Sequence, residues 1–213
     1  MGSWDSKPSA VTGPWFCYRQ TSPDLTALYA DARVEAPSQD SGRWNDLGVN
    51  FAQYMSLQPM GSWAELARHE NIRKGQQAET VRKLWLLYVA DERVADLSSF
   101  DHYESCGLDP EMAVSSEYSR THLLRYELED AGFSGVLSPS AAHSTAINLT
   151  LFGERRAREV SGSLEAWPNP FPSDWIPAQL LADNAPLPAV VLDQAVYLDE
   201  THPSYFAWRS SRP

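Results

Sequence analysis

The sequence predicts a single mixed α/β domain, because of its length, its apolar content and the irregular order of its segments. The chain has 213 residues, of which 43% are hydrophobic and 21% charged, enough for one domain with a substantial core. Strand-like and helix-like segments follow one another without the regular alternation of a doubly wound sheet. The sequence contains neither a Gly-x-Gly-x-x-Gly motif nor a phosphate-binding loop.

The N-terminal half predicts three strands and two helices after a polar, flexible arm at residues 1–14. Short aromatic or apolar runs predict the strands, and apolar residues at helical spacing predict the helices. We expect the strands at residues 15–19, 49–55 and 83–89, and the helices at residues 25–29 and 62–74. A buried helix is the alternative for the last strand, which lies in the longest apolar run.

The C-terminal half predicts a helix, two strands and an extended tail. The helix is expected at residues 118–131, where Gly132 ends it, and the strands at residues 133–138 and 147–152, after a loop and strand edge at residues 96–100. Six prolines crowd residues 168–188. We expect the tail from residue 166 to residue 213 to pack on the domain or pair at a sheet edge. Its strand-like pieces are residues 190–192 and 195–198.

Composition excludes several classes of protein. The formal net charge of −11 and the absence of a dense basic run argue against direct nucleic-acid binding and against an anionic membrane surface. With no secretory signal and no long apolar stretch, we expect a cytoplasmic protein. Cys17 and Cys106 are then expected to be reduced thiols.

Metal-dependent and serine-hydrolase chemistry are also poorly supported. None of the five histidines stands at metal-ligand spacing from cysteines or carboxylates, so no metal site is predicted. No Gly-x-Ser-x-Gly turn is present to carry a hydrolase nucleophile. The histidines are His69, His102, His122, His143 and His202.

A more informative group of residues begins in the turn Ser41–Asn45. Arg43 offers a planar fork that matches phosphate oxygens, and nearby aromatic residues such as Tyr54 offer stacking faces. Glu65 then stands alone on a largely apolar helix. These residues predict a site for an anionic ligand with a flat ring, faced by one carboxylate. The alternative is a packed loop whose arginines form structural ion pairs.

Their order along the chain resembles the RES domain family, named for its Arg, Glu and Ser. The resemblance covers residues 15–155, and Gly-Arg-Trp-Asn is its most diagnostic block. The matching motifs are Tyr18-Arg19, Gly42-Arg43-Trp44-Asn45, Tyr54, Glu65 and Gly135-Val136-Leu137-Ser138-Pro139-Ser140-Ala141. Members resemble toxins of bacterial toxin–antitoxin pairs that consume NAD.

The resemblance implies a compact domain over residues 15–165, with a split central sheet similar to that of ADP-ribosylating toxins. It implies that Arg19 and Arg43 hold the NAD pyrophosphate, that Tyr54 faces the nicotinamide ribose, and that Glu65 is the catalytic carboxylate. NAD is then a substrate that loses its nicotinamide to water or phosphate. Transfer of ADP-ribose to a protein is one alternative, and a non-catalytic protein-binding module is another.

Two further expectations come from the resemblance. The family serine matches either Ser119, which we rank first as a catalytic residue, or Ser140, which we keep as a substrate-binding residue. The simplest explanations of the two are a helix N-cap for Ser119 and a turn residue for Ser140. The expected protein partner is a cognate antitoxin of the Xre type, with a homodimer inside the toxin–antitoxin complex as a further expectation.

Overall fold

All the strands of the described ranges belong to one mixed sheet, which begins near the N-terminus and ends with strands of the C-terminal segment. The computed structural model describes residues 4–28, 40–162 and 175–212, in which the chain forms nine strands and five α-helices. The strands are β1 Ala10–Thr12, β2 Trp15–Thr21, β3 Ala52–Ser56, β4 Val81–Val89, β5 Arg93–Asp96, β6 Gly135–Pro139, β7 Ile147–Phe152, β8 Arg156–Glu159 and β9 Trp175–Pro186. The helices are α1 Pro59–His69, α2 Phe100–Ser105, α3 Ser119–Asp130, α4 Ala189–Leu192 and α5 Pro203–Ser210.

The strand order contains one weak joint. The order is β1-β5-β6-β7-β3-β2-β4-β9-β8, with parallel pairing only in β5–β6 and β8–β9. β2 and β3 pair through a single position, Tyr18 opposite Ser56. Along β2 beyond Tyr18 the two strands separate. The sheet is therefore continuous in hydrogen bonding but divided into two halves by a gap.

Helices bury their apolar faces against the sheet and against each other. Tyr103, Leu124 and Leu128, from α2 and α3, join Val136 and Phe152 of the sheet in one buried cluster. A second cluster joins α1 to α4, through residues such as Trp63 and Val191. A third consists mainly of strand side chains, among them Cys17, Trp85, Leu87, Leu149 and Leu151. No helix of the described ranges has the length and apolarity needed to cross a membrane.

The predicted mixed α/β class is confirmed, and several elements match closely. Residues 83–89 lie in β4, so the strand prediction is confirmed and the helix alternative is wrong. The predicted helix at residues 118–131 is α3, and the predicted strand at residues 147–152 is β7. α1 starts earlier than predicted because Pro59 occupies its first turn, where a missing N–H costs nothing.

Other local predictions were wrong. Leu25–Leu28 form turns instead of a helix, since Leu25 N–H bonds back to Ser22 O around Pro23, and residue 29 lies outside the described ranges. Residues 93–96 form β5, and Ser99 caps α2 by accepting a hydrogen bond from His102 N–H. The loop and strand edge predicted at residues 96–100 is therefore the end of a strand and the start of a helix.

Both chain ends contribute more to the sheet than the sequence indicates. Residues 10–12, in the predicted flexible arm, form β1, which pairs with β5. The proline-rich tail supplies β9, which pairs with β4, whereas residues 190–192 are helical and residues 195–198 form no strand. Prolines mask β9 in the sequence because they normally interrupt strands. The predicted boundary at residue 165 lies outside the described residues.

Candidate active site

A cleft of about 420 Å³ opens where β2 and β3 separate. Its volume falls in the range of about 300–1,000 Å³ that is typical of ligand sites. The walls come from β2, the loop before β3, β3, α1, the start of α3, β6 and β7. Its polar and aromatic lining includes Tyr18, Arg19, Gln20, Ser41, Arg43, Trp44, Asn45, Tyr54, Ser56, Ser62, Glu65, Arg68, Tyr118, Ser138, Asn148 and Thr150.

The Gly-Arg-Trp-Asn motif forms a tight hairpin on one wall. Gly42 N–H donates to Asn45 O at 3.0 Å, and the Tyr54 hydroxyl donates to Asn45 Oδ1 at 2.8 Å while it accepts Trp44 N–H. A Cβ on Gly42 would lie 2.7 Å from Tyr54 Oη and 2.8 Å from Asn45 Oδ1. Glycine is therefore required at position 42 by close contact rather than by backbone angle.

Trp44 and Arg125 anchor the hairpin to the core. The Trp44 indole is buried against Phe152, with ring centroids 6.3 Å apart. Arg125, which is 2% exposed, donates to Trp44 O at 2.7 Å and pairs with Glu129 one turn further along α3. His122 Nε2 lies 2.7 Å from Gly42 O. These contacts fix the hairpin backbone on both sides of Arg43.

Arg43 lines the cleft from this hairpin. Its guanidinium donates to Met112 O and lies 5.2 Å from the centre of the Tyr118 ring. Both contacts leave the charge uncompensated, because a carbonyl and an aromatic face carry no formal charge. Arg43 is thus held in place while its charge is available to a ligand.

Two more arginines line the same cleft. Arg19 donates to Gln53 Oε1 at 2.6 Å across the gap between β2 and β3, and burial lowers the pKa of Arg19 to about 10. Arg68 is almost fully buried and donates to Val196 O at 3.0 Å, and burial lowers its pKa as well. Both remain cationic at neutral pH.

Within the described part of the chain, these three arginines have no salt bridge. Among the described residues, neither Arg19, Arg43 nor Arg68 forms an ion pair with a carboxylate within 4.0 Å, although most other arginines of the same ranges do. Desolvated cations without counter-ions are costly. The geometry therefore favours an anionic ligand in the cleft over the structural ion pairs that were the alternative.

Glu65 faces the arginines from α1. Gly61 lets this helix approach the sheet, since a Cβ there would collide with Ser56 Oγ and would lie 2.6 Å from Ala146 Cβ. Glu65 Oε1 accepts two hydrogen bonds of 2.7 Å, from Ser140 Oγ and from Asn148 Nδ2. Its side chain is 24% exposed. The carboxylate is thus fixed by neutral donors and remains open to the cleft.

Comparison with known families identifies the domain. The sequence profile of the RES domain matches residues 16–172, which is more than half of the chain. The chain belongs to the RES domain family. No curated protein sequence matches it.

A solved structure supports the same fold for this RES domain protein. This RES domain protein resembles a chain of the M. tuberculosis MbcT-MbcA toxin–antitoxin complex, with a TM-score of 0.59 and 19% sequence identity. The match covers 86% of this chain and 90% of that chain. The similarity extends beyond residue 172 and so takes in part of the C-terminal segment.

The structure brings most of the predicted residues together and separates one. Arg19, Arg43, Tyr54 and Glu65 line the cleft. Ser119 does not, because its side chain is exposed at the start of α3, where only its neighbour Tyr118 reaches the cleft. Ser140, the alternative match, is 0% exposed and is not itself in the cleft lining, but it contacts the site by donating to Glu65 Oε1.

Tyr54 lines the cleft and also holds the hairpin together. Its hydroxyl both donates and accepts within the hairpin, and burial raises the pKa of Tyr54, so that it stays neutral. The hydroxyl is thus committed to holding Asn45 and Trp44. The ring, rather than the hydroxyl, is the part of Tyr54 that a ligand would meet.

Three cleft residues escaped sequence reasoning. Arg68 lies three residues after Glu65, a spacing that places both on one helix face. Asn148 and Thr150 interrupt the apolar residues of β7 at alternate positions, which puts both on one face of the sheet. Either pattern is visible in the sequence, but neither tells which polar residues meet Glu65.

We predict that Gly42→Ala destabilises the RES domain protein by about 1–3 kcal/mol, because the added methyl group would push the Tyr54 and Asn45 side chains out of their hydrogen bonds. Val49→Ala, at an exposed position of the same loop, is the control and should stay within about 0.5 kcal/mol of wild type. Urea unfolding followed by tryptophan fluorescence measures both. Equal stability of Gly42→Ala and wild type would contradict the tight hairpin.

Proposed function

We propose that this RES domain protein is an NAD-consuming toxin that cleaves the bond between nicotinamide and its ribose. The observation that carries the proposal is that Arg19, Arg43 and Arg68, unpaired among the described residues, share one cleft with the doubly hydrogen-bonded carboxylate of Glu65. NAD complements this arrangement, because it has a doubly charged pyrophosphate at its centre and a cationic ring at the end where it reacts.

The arginines supply binding energy away from the reacting bond. Arg43 and Arg19 are the proposed contacts of the pyrophosphate, and a guanidinium fork matches two phosphate oxygens at once. Each arginine is already oriented by a carbonyl acceptor, Met112 O for Arg43 and Gln53 Oε1 for Arg19. Little side-chain entropy is then lost on binding, and that binding energy can position the ribose carbon against Glu65.

Glu65 acts where positive charge develops. When the bond between C1 of the ribose and N1 of the ring breaks, its electron pair goes to the ring, which leaves as neutral nicotinamide. The leaving group needs no proton. The ribose becomes an oxocarbenium-like cation, and an adjacent carboxylate stabilises it, as in glycoside cleavage. A general acid is not required, so a single carboxylate is sufficient for this step.

The acceptor completes the reaction. Water gives ADP-ribose and releases one proton, whereas inorganic phosphate gives the phosphorylated sugar. Both acceptors are small enough to enter the space that nicotinamide leaves. We propose a small acceptor rather than a protein side chain, since Glu65 lies inside a cleft between β2, β3 and α1.

We predict that Glu65→Gln lowers the rate of nicotinamide release by about 100- to 1,000-fold, because it removes the negative charge that stabilises the transition state. The amide can still accept the Ser140 hydrogen bond, so the melting temperature should be close to that of wild type. Chromatography of NAD incubated with each protein, in water and in phosphate buffer, gives the rates. If Glu65→Gln kept the wild-type rate, the reaction would depend on another residue.

A second prediction concerns binding. Arg43→Lys keeps one charge but loses the fork, and we expect KM for NAD to rise by about 10-fold or more, with a smaller change in kcat. Lys74→Ala, whose ammonium pairs with Asp193 outside the cleft, is the control and should leave KM unchanged. NAD should also raise the melting temperature of wild type more than that of Arg43→Lys. A protein indifferent to NAD in both assays would instead be a non-catalytic binding module.

We propose an antitoxin-type protein as partner. Support comes from the M. tuberculosis complex, in which a chain of similar fold occurs in a toxin–antitoxin pair. We propose that this partner is of the Xre type, which predicts that a neighbouring reading frame encodes a small helical DNA-binding protein. Expression of the RES domain protein alone should arrest growth and deplete NAD, and co-expression of that neighbour should restore both. Growth arrest that persists with Glu65→Gln would separate toxicity from NAD consumption.

A further inference from the structure

Asn148 lies against the proposed catalytic carboxylate, although it belongs to none of the sequence motifs that predicted the site. Its Nδ2 donates to Glu65 Oε1 at 2.7 Å. Building on the proposed function, we infer that Asn148 is a positioning residue that holds Glu65 in its reactive orientation. It acts through Glu65 and is not assigned a contact with the substrate.

The local sheet register explains why this side chain can reach Glu65. Asn148 stands on β7 between Ser56 of β3 and Ser138 of β6, which are its direct cross-strand partners. Both flanking side chains are short and buried, and both line the cleft. The longer Asn148 side chain therefore projects between them toward α1, where Glu65 lies.

The carboxylate determines which way the Asn148 amide points. Only the nitrogen of the amide can donate, so the opposite orientation would place two oxygens against each other. In the orientation observed, Asn148 Oδ1 is buried and has no hydrogen-bond partner among the described residues. An unsatisfied buried carbonyl reduces stability. A side chain that served the fold alone would not be expected at this position in this state.

Asn148 and Ser140 bind the same oxygen of Glu65. The Ser140 hydroxyl accepts Ala142 N–H at 3.1 Å, which directs its own proton to Glu65 Oε1. Two donors on Oε1 fix the plane of the carboxylate and leave Oε2 without a comparable donor. His69 Nε2, the one group within salt-bridge reach of Oε2 in the described ranges, is 4.0 Å away. Oε2 is thus the oxygen presented to the cleft.

Kinetics of three variants test the inference. Asn148→Ala removes the donor, and we expect kcat for nicotinamide release to fall by about 10- to 100-fold with KM for NAD within about 3-fold of wild type. Asn148→Asp keeps the shape of the side chain but places a second carboxylate against Glu65. Its kcat should therefore fall further than that of Asn148→Ala. Thr145→Ala, at an exposed position in the loop before β7, is the control and should keep wild-type kinetics.

Stability separates a positioning role from a structural one. Because Asn148 Oδ1 is unsatisfied, Asn148→Ala should melt at the wild-type temperature or above it while kcat falls. A structural role predicts the opposite ranking of the two variants. Asn148→Asp, the closest match in shape, would then be tolerated, and Asn148→Ala would have a lower melting temperature than wild type. Wild-type kcat in Asn148→Ala, or an Asn148→Asp variant that is more active than Asn148→Ala, would overturn the inference.

Crystal structures of wild type and Asn148→Ala test the same step without substrate. The Glu65 carboxylate should keep Ser140 as a partner in the variant but rotate out of the plane that it has in wild type. An unmoved carboxylate would overturn the inference even if wild type proved inert toward NAD. Inert wild type together with a rotated carboxylate would instead contradict the proposed function and leave the positioning of Glu65 by Asn148 supported.

Discussion

The separation of β2 from β3 is the constraint on which the site depends. One residue pair, Tyr18 with Ser56, joins two halves of the sheet that are otherwise well paired. Beyond that pair, strand edges would be exposed to solvent or to a ligand, and polar side chains occupy the gap. Arg19 bridges it by donating to Gln53. The opening is thus a consequence of strand pairing, and the site residues are those that the diverging strands and their connecting loop bring to it.

Charge distinguishes this opening from the rest of the protein. The protein carries a formal net charge of −11, so an anion approaching it meets an unfavourable field. The cleft lacks this excess of negative charge, because its three arginines are matched in number by three carboxylates, Asp40, Glu65 and Glu70. Among the described residues, none of these arginines forms an ion pair with a carboxylate. Burial without counter-ions costs stability, and a bound anion would restore it. Under the proposed function, the pyrophosphate of NAD would offset this cost.

Sequence reasoning found the parts of the site that are set by local chemistry. Arg43 and Glu65 are recognisable because an arginine in a glycine turn and a lone glutamate on an apolar helix are locally unusual. Ser140 was ranked below Ser119 because both have ordinary local explanations, and only the tertiary contact with Glu65 distinguishes them. The same limit applies to the fold. β4 was predictable from its continuous apolar run, whereas β9 contains prolines and is stabilised by pairing with β4 across about a hundred residues of chain.

The C-terminal segment shows how far the support of the site extends. Val196 O accepts a hydrogen bond from Arg68. His202 Nδ1 accepts a hydrogen bond from Tyr205 N–H, so the proton of the His202 ring is on Nε2, which donates to Ser140 O at 3.1 Å. Both contacts come from residues beyond the 16–172 match to the family. Arg68 lies one turn from Glu65, and Ser140 holds Glu65 directly. The motif residues therefore supply the chemical groups, while their geometry depends on a segment that the motif does not include. A RES domain truncated at residue 172 would lose the hydrogen bond from Arg68 to Val196 O and the hydrogen bond from His202 to Ser140 O.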